Sequence, residues 1–176
     1  FSGRRKLSTD EKTYEFDKII IASGSRPASP PFPVPQDIWK SRQALEADEL
    51  PESIVIVGGG VIGMEFGYIF SSFGTNVSIV ELEDEIVPGE DKDMMSFLRN
   101  EMKKNGIKFH LSSLVSKIRK KNKHYITEFS KGKEEETLES EKVLISVGRK
   151  PFTGELPDGI TLENGAIKVD SQMRTS

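Results

Sequence analysis

The stretch Ser53-Ile54-Val55-Ile56-Val57-Gly58-Gly59-Gly60-Val61-Ile62-Gly63-Met64-Glu65 decides the fold of this chain. Its first five residues form a largely apolar, β-branched run. Such a run predicts a strand in the interior of a parallel sheet, because these strands are buried on both faces. Glycines in the spacing G-x-G-x-x-G follow directly and mark a tight turn. The sequence then predicts a helix from about Val61 to Phe73, closed by Gly74.

The glycine turn is predicted to bind the pyrophosphate of a dinucleotide. Gly58 permits the tight turn, Gly60 lets a pyrophosphate approach the backbone, and Gly63 lets the helix pack closely on the strand. The amide N–H groups and the dipole at the start of a helix attract phosphate groups. The residues assigned to this site are Gly58, Gly59, Gly60, Val61, Ile62 and Gly63. The alternative is a glycine-rich turn that binds no ligand.

A carboxylate at the end of the next strand supports the dinucleotide hypothesis. Glu81 ends the predicted strand Asn76–Glu81. A ribose-binding acid is expected roughly 20 positions after the first glycine of the motif, and Glu81 lies close to that position. Glu81 would accept hydrogen bonds from the adenosine ribose and repel a 2′-phosphate. The segment Leu82–Glu85 contains no Arg or Lys to receive such a phosphate, so the sequence favours NAD(H) over NADP(H). The alternative for Glu81 is a solvated strand end.

The rest of the chain alternates strands and helices and then changes character. The other elements predicted for the central part are a short helix Ser41–Asp48, a helix Asp91–Asn105, and strands Ile107–Leu111 and Val143–Val147. Short segments separated by lysine-rich turns predict an antiparallel meander of Leu114–Arg119, Tyr125–Phe129 and Glu136–Leu138. The predicted fold class is therefore α/β, a Rossmann-like doubly wound parallel sheet with an inserted three-stranded antiparallel meander.

The segments on either side of this sheet define the predicted domain organisation. Phe16–Ala22 predicts a further buried strand, and the five prolines of 27–35 predict an extended connector. The tail predicts turns at Asp158-Gly159 and Asn164-Gly165 and a last strand, Ile167–Val169. The predicted division is 1–35 for the edge of another domain and the connector, 36–150 for the dinucleotide-binding domain, and 151–176 for a returning segment. Four residues at helical spacing are assigned to the core: Phe66, Ile69, Phe70 and Phe73.

Composition excludes several classes of protein. The chain has 176 residues, a formal net charge of −3, two histidines and no cysteine. Disulfide scaffolds, thiolate metal sites and cysteine nucleophiles are therefore excluded within these residues, and no metal site is predicted. No apolar run approaches the roughly 20 residues of a membrane-spanning helix. The mild acidity argues against nucleic acid as a partner. We expect a cytoplasmic protein, with the mitochondrial matrix as an alternative.

Three motifs in order resemble one family. They are Ile20-Ile21-Ala22-Ser23-Gly24-Ser25-Arg26-Pro27, the Gly58–Glu65 fingerprint with Glu81, and Ile145-Ser146-Val147-Gly148-Arg149-Lys150-Pro151-Phe152-Thr153. Over nearly its whole length the chain resembles the central part of the pyridine nucleotide–disulfide oxidoreductases, most closely the branch of dihydrolipoamide dehydrogenases. The chain starts at Phe1 without a Met, and we expect it to be a piece of a larger protein.

The resemblance implies roles for residues outside the glycine turn. Ser23, Gly24 and Ser25 match positions that line FAD. Met64 and Glu65 complete the NAD-binding fingerprint, and Glu65 matches a carboxylate near the nicotinamide and the flavin. Val115 matches a residue beside the adenine, and Gly148 matches a glycine that lets the dinucleotide pass close to the backbone. The alternatives are an ordinary first-turn glutamate, a core valine and a strand-end turn, respectively. No catalytic residue is assigned within this chain.

The resemblance also implies the function and the partners. We expect the NAD(H)-binding portion of a flavoprotein disulfide oxidoreductase, in which hydride passes between NAD(H) and FAD. The redox cysteine pair, most of the FAD site and the interface domain would lie in other parts of the same polypeptide. The full-length protein would be a homodimer acting on a small-molecule or protein-bound disulfide, and this chain alone would be inactive. Two alternatives are a cysteine-free NADH-dependent flavoprotein reductase of a protein electron carrier, and a stand-alone NAD(H)-binding redox-sensing module.

Overall fold

The structure is a computed structural model that describes residues 5–154, 156–157 and 159–176. The chain divides into two compact units. The first contains the described residues of 1–26 and 149–176, and the second is Pro27–Gly148. Each unit is described by itself below. None of the helices in the described ranges is long and apolar enough to cross a membrane.

The described residues contain three helices and thirteen strands. In chain order they are β1 (Lys6–Ser8), β2 (Thr13–Glu15), β3 (Ser25–Pro27), α1 (Ser41–Leu45), β4 (Ser53–Val57), α2 (Val61–Ser72), β5 (Asn76–Val80), α3 (Lys92–Lys104), β6 (Lys108–His110), β7 (Leu114–Lys121), β8 (His124–Lys131), β9 (Glu134–Ser140), β10 (Lys142–Ile145), β11 (Arg149–Pro151), β12 (Leu162–Glu163) and β13 (Ala166–Ile167).

A four-stranded parallel sheet forms the centre of the second unit, in the order β10-β4-β5-β6. Ile56 of β4 lies in register between Leu144 of β10 and Ile79 of β5, and all three side chains are fully buried. A strand flanked on both sides and covered on both faces needs apolar residues at consecutive positions. The predicted α/β fold, a Rossmann-like parallel sheet with an inserted antiparallel meander, is therefore confirmed.

The two long helices, α2 and α3, begin and end within one residue of the predicted boundaries. Helix α2 starts after Gly60 and ends before Phe73, and Gly74 follows with a φ of +90°. The Asp91 side chain caps α3 by accepting a hydrogen bond from the Met94 N–H at 3.0 Å. Gly106 closes α3 with a φ of +83°. Helix α1 is shorter than the predicted Ser41–Asp48, because it ends at Leu45.

The two faces of the parallel sheet bury separate apolar cores. One core joins the sheet to the helices through Ala44, Met64, Phe66, Phe70 and Met102. The other joins the opposite face to the meander through Val115, Ile118, Tyr125 and Phe129. Two of the four residues that the sequence assigns to the core here are buried. Phe66 and Phe70 are buried, but Ile69 is 43% exposed and Phe73, at the end of the helix, is 69% exposed.

The meander is a three-stranded antiparallel sheet whose strands are longer than predicted. β7 and β8 pair as far as Lys121 and His124, and β8 and β9 pair as far as Lys131 and Glu134. The charged residues near the turns belong to the strands, because one face of the meander is exposed and tolerates charge at alternate positions. A register shift between Val115 and Lys117 interrupts the β7–β8 pairing.

The predicted strand Phe16–Ala22 is wrong. The structure has no strand in this range; the nearest one is β2, which pairs with β1. Ile20 is 93% exposed and Ile19 is 41% exposed. An apolar run becomes a buried strand only beside a partner strand, and Ile20 is neither paired nor covered by any residue that the structure describes.

The tail contains one hairpin. β12 and β13 are antiparallel, and Asn164 and Gly165 between them have φ values of +52° and +80°. Positive φ at both central residues is typical of a two-residue hairpin turn. The last strand is Ala166–Ile167 rather than the predicted Ile167–Val169. The predicted Asp158-Gly159 turn lies in part outside the described residues.

Candidate functional site

The site is built at the end of β4, where the chain makes a turn that only glycine can adopt. Gly58 has a φ of +103°, and its N–H donates to the Val80 carbonyl of the neighbouring strand at 2.9 Å. A Cβ atom at Gly58 would lie 2.6 Å from the backbone oxygen of Ser146. The turn is therefore pressed against the ends of the strands on either side of it, β5 and β10.

Helix α2 starts in direct contact with this turn. A Cβ atom at Gly63 would lie 2.0 Å from the Gly58 carbonyl oxygen and 2.8 Å from the Ser146 hydroxyl. The Ser146 hydroxyl is within hydrogen-bonding distance of the Gly58 carbonyl, at 2.8 Å. Gly63 thus allows the close packing of helix on strand that the sequence predicts for it.

Glu81 lies directly against the turn. The residue is only 7% exposed, and one carboxylate oxygen accepts a hydrogen bond from the Gly59 N–H at 2.5 Å. The other oxygen accepts a hydrogen bond from the Glu83 N–H at 2.9 Å. The carboxylate is therefore held in one orientation by two backbone donors, and it keeps unused lone pairs for a further donor.

The amide groups of the turn divide into two sets. The N–H groups of Gly58 and Gly59 already donate to Val80 and Glu81. The first hydrogen bond of the helix runs from the Met64 N–H to the Gly60 carbonyl at 2.9 Å. The N–H groups of residues 61–63 therefore precede the hydrogen-bonded part of α2 and have no acceptor within it. Such a helix start attracts an anion.

A cavity of about 580 Å³ opens beside these groups. Its lining contains seven of the residues predicted to bind NAD: Gly58, Gly60, Val61, Ile62, Glu81, Val115 and Gly148. A Cβ atom built at Gly60 would meet no heavy atom within 4 Å, so the backbone there faces open space. The cavity combines an apolar surface with a helix start and a carboxylate, which are the groups that a dinucleotide needs.

Four of the predicted NAD-binding residues do not line this cavity. Gly59 and Gly63 lie behind it, in contact with Glu81 and with Gly58 respectively. Met64 is buried in the helix-side core. Glu65 is exposed on α2. The role that the resemblance implies for Glu65 stays a prediction.

Several lining residues are absent from the sequence-based assignment. They are Pro31, Phe32, Val57, Val80, Leu82, Glu83, Pro88, Ser113, Leu114, Ser146 and Val147. Ser146 and Val147 belong to the third family-like motif, so that motif was a usable signal for them. Phe32 comes from the proline-rich connector and packs against the meander-side core. Nothing in the spacing of the sequence places Phe32 at the end of β4.

The residues predicted to line FAD lie in the first unit and are tied to the segment 149–152. The Ser23 hydroxyl donates to the Phe152 carbonyl at 2.6 Å, and the Phe152 N–H donates to the Gly24 carbonyl at 2.9 Å. The Arg149 side chain donates to the Ser25 hydroxyl at 2.8 Å and to the Ser25 carbonyl at 2.7 Å. The structure thus joins the first family-like motif to the third. Contact of these residues with FAD stays a prediction.

Comparison with known proteins gives a consistent result. The family model described as pyridine nucleotide-disulphide oxidoreductase matches residues 1–176. A dihydrolipoyl dehydrogenase of Thermus scotoductus is 33% identical over 176 residues, which are 98% of this chain and 37% of that protein. A dihydrolipoyl dehydrogenase of Geobacillus stearothermophilus is 38% identical over 170 residues, or 94% of this chain and 36% of that protein.

Solved structures agree with these sequence relatives. The HOCl-induced flavoprotein disulfide reductase RclA from Escherichia coli superposes with a TM-score of 0.88 at 27% sequence identity. The match covers 100% of this chain and 41% of the RclA chain. The chain therefore spans well under half the length of the relatives it matches.

Proposed function

Because the chain belongs to the pyridine nucleotide-disulphide oxidoreductase family, we propose that residues 36–150 form an NAD(H)-binding domain. In this proposal residues 1–35 are the edge of the FAD-binding domain and the connector that follows it, and residues 151–176 begin the segment that returns to that domain. The full-length protein would be a flavoprotein disulfide oxidoreductase of the dihydrolipoamide dehydrogenase type. The cytoplasmic location, the homodimer and the disulfide substrate predicted from the sequence belong to the same proposal.

The single observation that carries the proposal is the position of Glu81 between the turn and the cavity. Glu81 lines the cavity and its carboxylate accepts the Gly59 N–H, so ribose hydroxyls bound there would lie next to the start of α2. The N–H groups of residues 61–63 would receive the pyrophosphate. Gly60 presents bare backbone to the same space. The residues present therefore fit a dinucleotide.

The charges around Glu81 favour NAD(H). A 2′-phosphate would meet the buried carboxylate of Glu81 and the neighbouring Glu83, which also lines the cavity. The side chains that line the cavity in the described residues include no Lys or Arg to neutralise that phosphate. Like charges brought together in a partly desolvated site cost several kcal/mol.

The residues of this chain and the cofactors would have separate roles in the reaction. A bound nicotinamide would supply hydride exchange with a flavin, which is chemistry of the cofactors themselves. The residues of this chain would bind the dinucleotide, orient it and shield it from water. With no cysteine in the sequence, this chain alone would turn over no disulfide substrate. The names of the relatives described above favour this proposal over a cysteine-free reductase of a protein electron carrier.

The proposal is tested by calorimetric titration of the 176-residue chain with NADH and NADPH. We expect NADH to bind more tightly by about tenfold or more, which corresponds to at least roughly 1.4 kcal/mol. The Glu81→Arg variant should lose affinity for NADH and gain affinity for NADPH, because it replaces a repulsive charge with an attractive one.

Two further variants make this test decisive. Glu81→Gln keeps the side-chain shape and should reduce the discrimination without inverting it, which covers the case that the arginine variant fails to fold. Glu49→Arg makes the same charge change at an exposed site outside the cavity lining and should leave both affinities unchanged. If the wild-type chain binds both nucleotides with equal affinity, the proposed role of Glu81 is wrong.

A further inference from the structure

The loop that joins β5 to α3, residues 81–91, is hydrogen-bonded to the glycine turn. The Val87 N–H donates to the Gly59 carbonyl at 2.9 Å. That carbonyl shares a peptide group with the Gly60 N–H, and in a trans peptide the two point in opposite directions. Val87 therefore determines the direction of the Gly60 N–H, and Gly60 lines the cavity.

Val87 makes this hydrogen bond from an unfavourable backbone conformation. Its φ is +46°, in the left-handed region that β-branched residues rarely adopt. A residue stays in such a conformation only where its surroundings hold it there. The residues on either side of Val87 are both constrained, since Ile86 is buried in the helix-side core and Pro88 has a fixed φ.

An ion pair with two hydrogen bonds anchors the loop just before Val87. Arg99 of α3 donates through Nε to Oε1 of Glu85 at 2.7 Å and through Nη2 to Oε2 at 3.0 Å. Oε1 of Glu85 also accepts the Ile86 N–H at 2.9 Å. The two side chains are only 14% and 17% exposed. The Arg99 guanidinium lowers the pKa of Glu85, so the pair is fully charged at neutral pH.

A second ion pair between the same loop and the same helix offers a contrast. Lys92 Nζ lies 2.8 Å from Oδ2 of Asp84, but both side chains are largely exposed to water. Exposed pairs of this kind contribute little, because water screens the charges and the long side chains lose conformational freedom. The Asp84–Lys92 pair is thus a matched control for the Glu85–Arg99 pair.

We propose that Glu85 and Arg99 are positioning residues for the dinucleotide pyrophosphate. Their ion pair holds Val87 in its left-handed conformation, and Val87 in turn aims the Gly60 N–H into the cavity. This inference rests on the proposed NAD(H)-binding function and extends it to two side chains outside the cavity lining. A purely structural role, in which the pair only anchors α3 to the loop, is the competing explanation.

The two explanations differ in which ligands they affect. The Arg99→Leu variant should weaken the binding of NADH and of ADP-ribose on the order of tenfold, the effect of losing one hydrogen bond to a charged group. The binding of adenosine, which has no phosphate, should be unchanged, because Glu81 and the adenine side of the cavity are untouched. Calorimetry measures the first two ligands, and NMR titration measures adenosine.

A readout without ligand tests the same point. In the NMR spectrum of the ligand-free chain, the Gly60 amide resonance should shift in Arg99→Leu and not in Lys92→Leu. Lys92→Leu should also keep the wild-type affinity for ADP-ribose. Arg99→Lys retains the charge but not the two-pronged geometry. It should lose part of the ADP-ribose affinity, and it serves as the test variant if Arg99→Leu does not fold.

The results of these experiments distinguish a failure of the positioning role from a failure of the proposed function. An unchanged ADP-ribose affinity in the folded Arg99 variants, or an equal loss for adenosine and ADP-ribose, would overturn the positioning role. If the wild-type chain binds no NADH, the proposed function fails. In that case an unshifted Gly60 amide in the ligand-free Arg99→Leu chain would overturn the further inference as well, whereas a shifted one would support it.

Discussion

At the scale of single residues, Glu81 links two parts of the site that lie 22 positions apart in the sequence. Its carboxylate accepts the Gly59 N–H, and Glu81 also lines the cavity. Gly59 is held on its other side by the Val87 N–H. The turn is therefore oriented by the residues behind it, independently of any ligand, and a preorganised turn binds its ligand with less loss of entropy.

His110 is another residue whose environment has a measurable consequence. It ends β6, and its ring makes an edge contact with Phe129 at 5.1 Å between centroids. Its Nε2 atom is buried and has no hydrogen-bond partner within the described residues. Burial lowers the pKa of His110, opposed by the nearby Glu136 and assisted by Lys108 and Lys131.

This lowered pKa predicts a pH dependence of stability. The unfolded chain binds a proton on this histidine at higher pH than the folded chain does, so the free energy of unfolding should fall as pH drops from about 7.5 to 5.5. His110→Phe keeps an aromatic ring and should flatten this dependence in urea denaturation experiments. His124→Gln, at an exposed histidine, should leave it unchanged. A His110→Phe chain with the wild-type pH dependence would contradict the prediction.

At the scale of elements, the approach of α2 to the end of β4 decides the shape of the site. The helix start touches the turn so closely that a Cβ atom at Gly63 would overlap the Gly58 carbonyl, whereas Gly60 faces open space. The same motif thus contains one glycine that is needed for packing and another that leaves room for a ligand. The two requirements can be separated by mutation.

The pair of variants Gly63→Ala and Gly60→Ala should have opposite phenotypes. Gly63→Ala should lower the free energy of unfolding by about 1–3 kcal/mol, the usual range for overpacking, because a backbone oxygen cannot move away freely. Gly60 has a φ of −70°, which alanine adopts without strain, so Gly60→Ala should keep wild-type stability but bind NADH more weakly. Urea denaturation and calorimetry measure the two effects. Normal stability of Gly63→Ala would contradict the close approach.

At the scale of the whole molecule, the cavity belongs to one of the two compact units. Every residue that lines it lies within Pro27–Gly148. The residues predicted to line FAD lie in the other unit, where Ser23 and Ser25 are bonded to Phe152 and Arg149. If NAD(H) binds as proposed, the NAD(H) site is complete without the residues of the first unit.

A fragment of residues 27–148 should therefore bind NADH with the affinity of the 176-residue chain. NADH at about 100 times its Kd should stabilise either polypeptide by about 2.7 kcal/mol, because it binds the folded state only. Thermal unfolding with and without NADH, together with calorimetry, measures both quantities. A fragment that is folded by circular dichroism but binds more weakly would mean that residues of the first unit contribute to the site.

The parts of the fold predicted correctly depend on neighbours in sequence. β4, α2 and the glycine turn follow from a β-branched run, a fixed glycine spacing and a helix end at Gly74, all of which act over a few residues. Phe16–Ala22 has the same apolar character and is nevertheless no strand. A strand also needs partners for its backbone groups, and apolar character alone does not reveal whether they exist.

The sequence by itself determined the strand–turn–helix unit, the family and the position of the acid, Glu81, that lines the cavity at the end of β4. Only the tertiary structure decided that Phe32 of the connector lines the cavity, that Arg99 pairs with Glu85, and that Val87 holds Gly59. The physical reason is the range of the interactions. Backbone preferences and hydrophobic periodicity act along the chain, whereas these contacts join residues that become neighbours only after the sheet has packed between its helices and the meander.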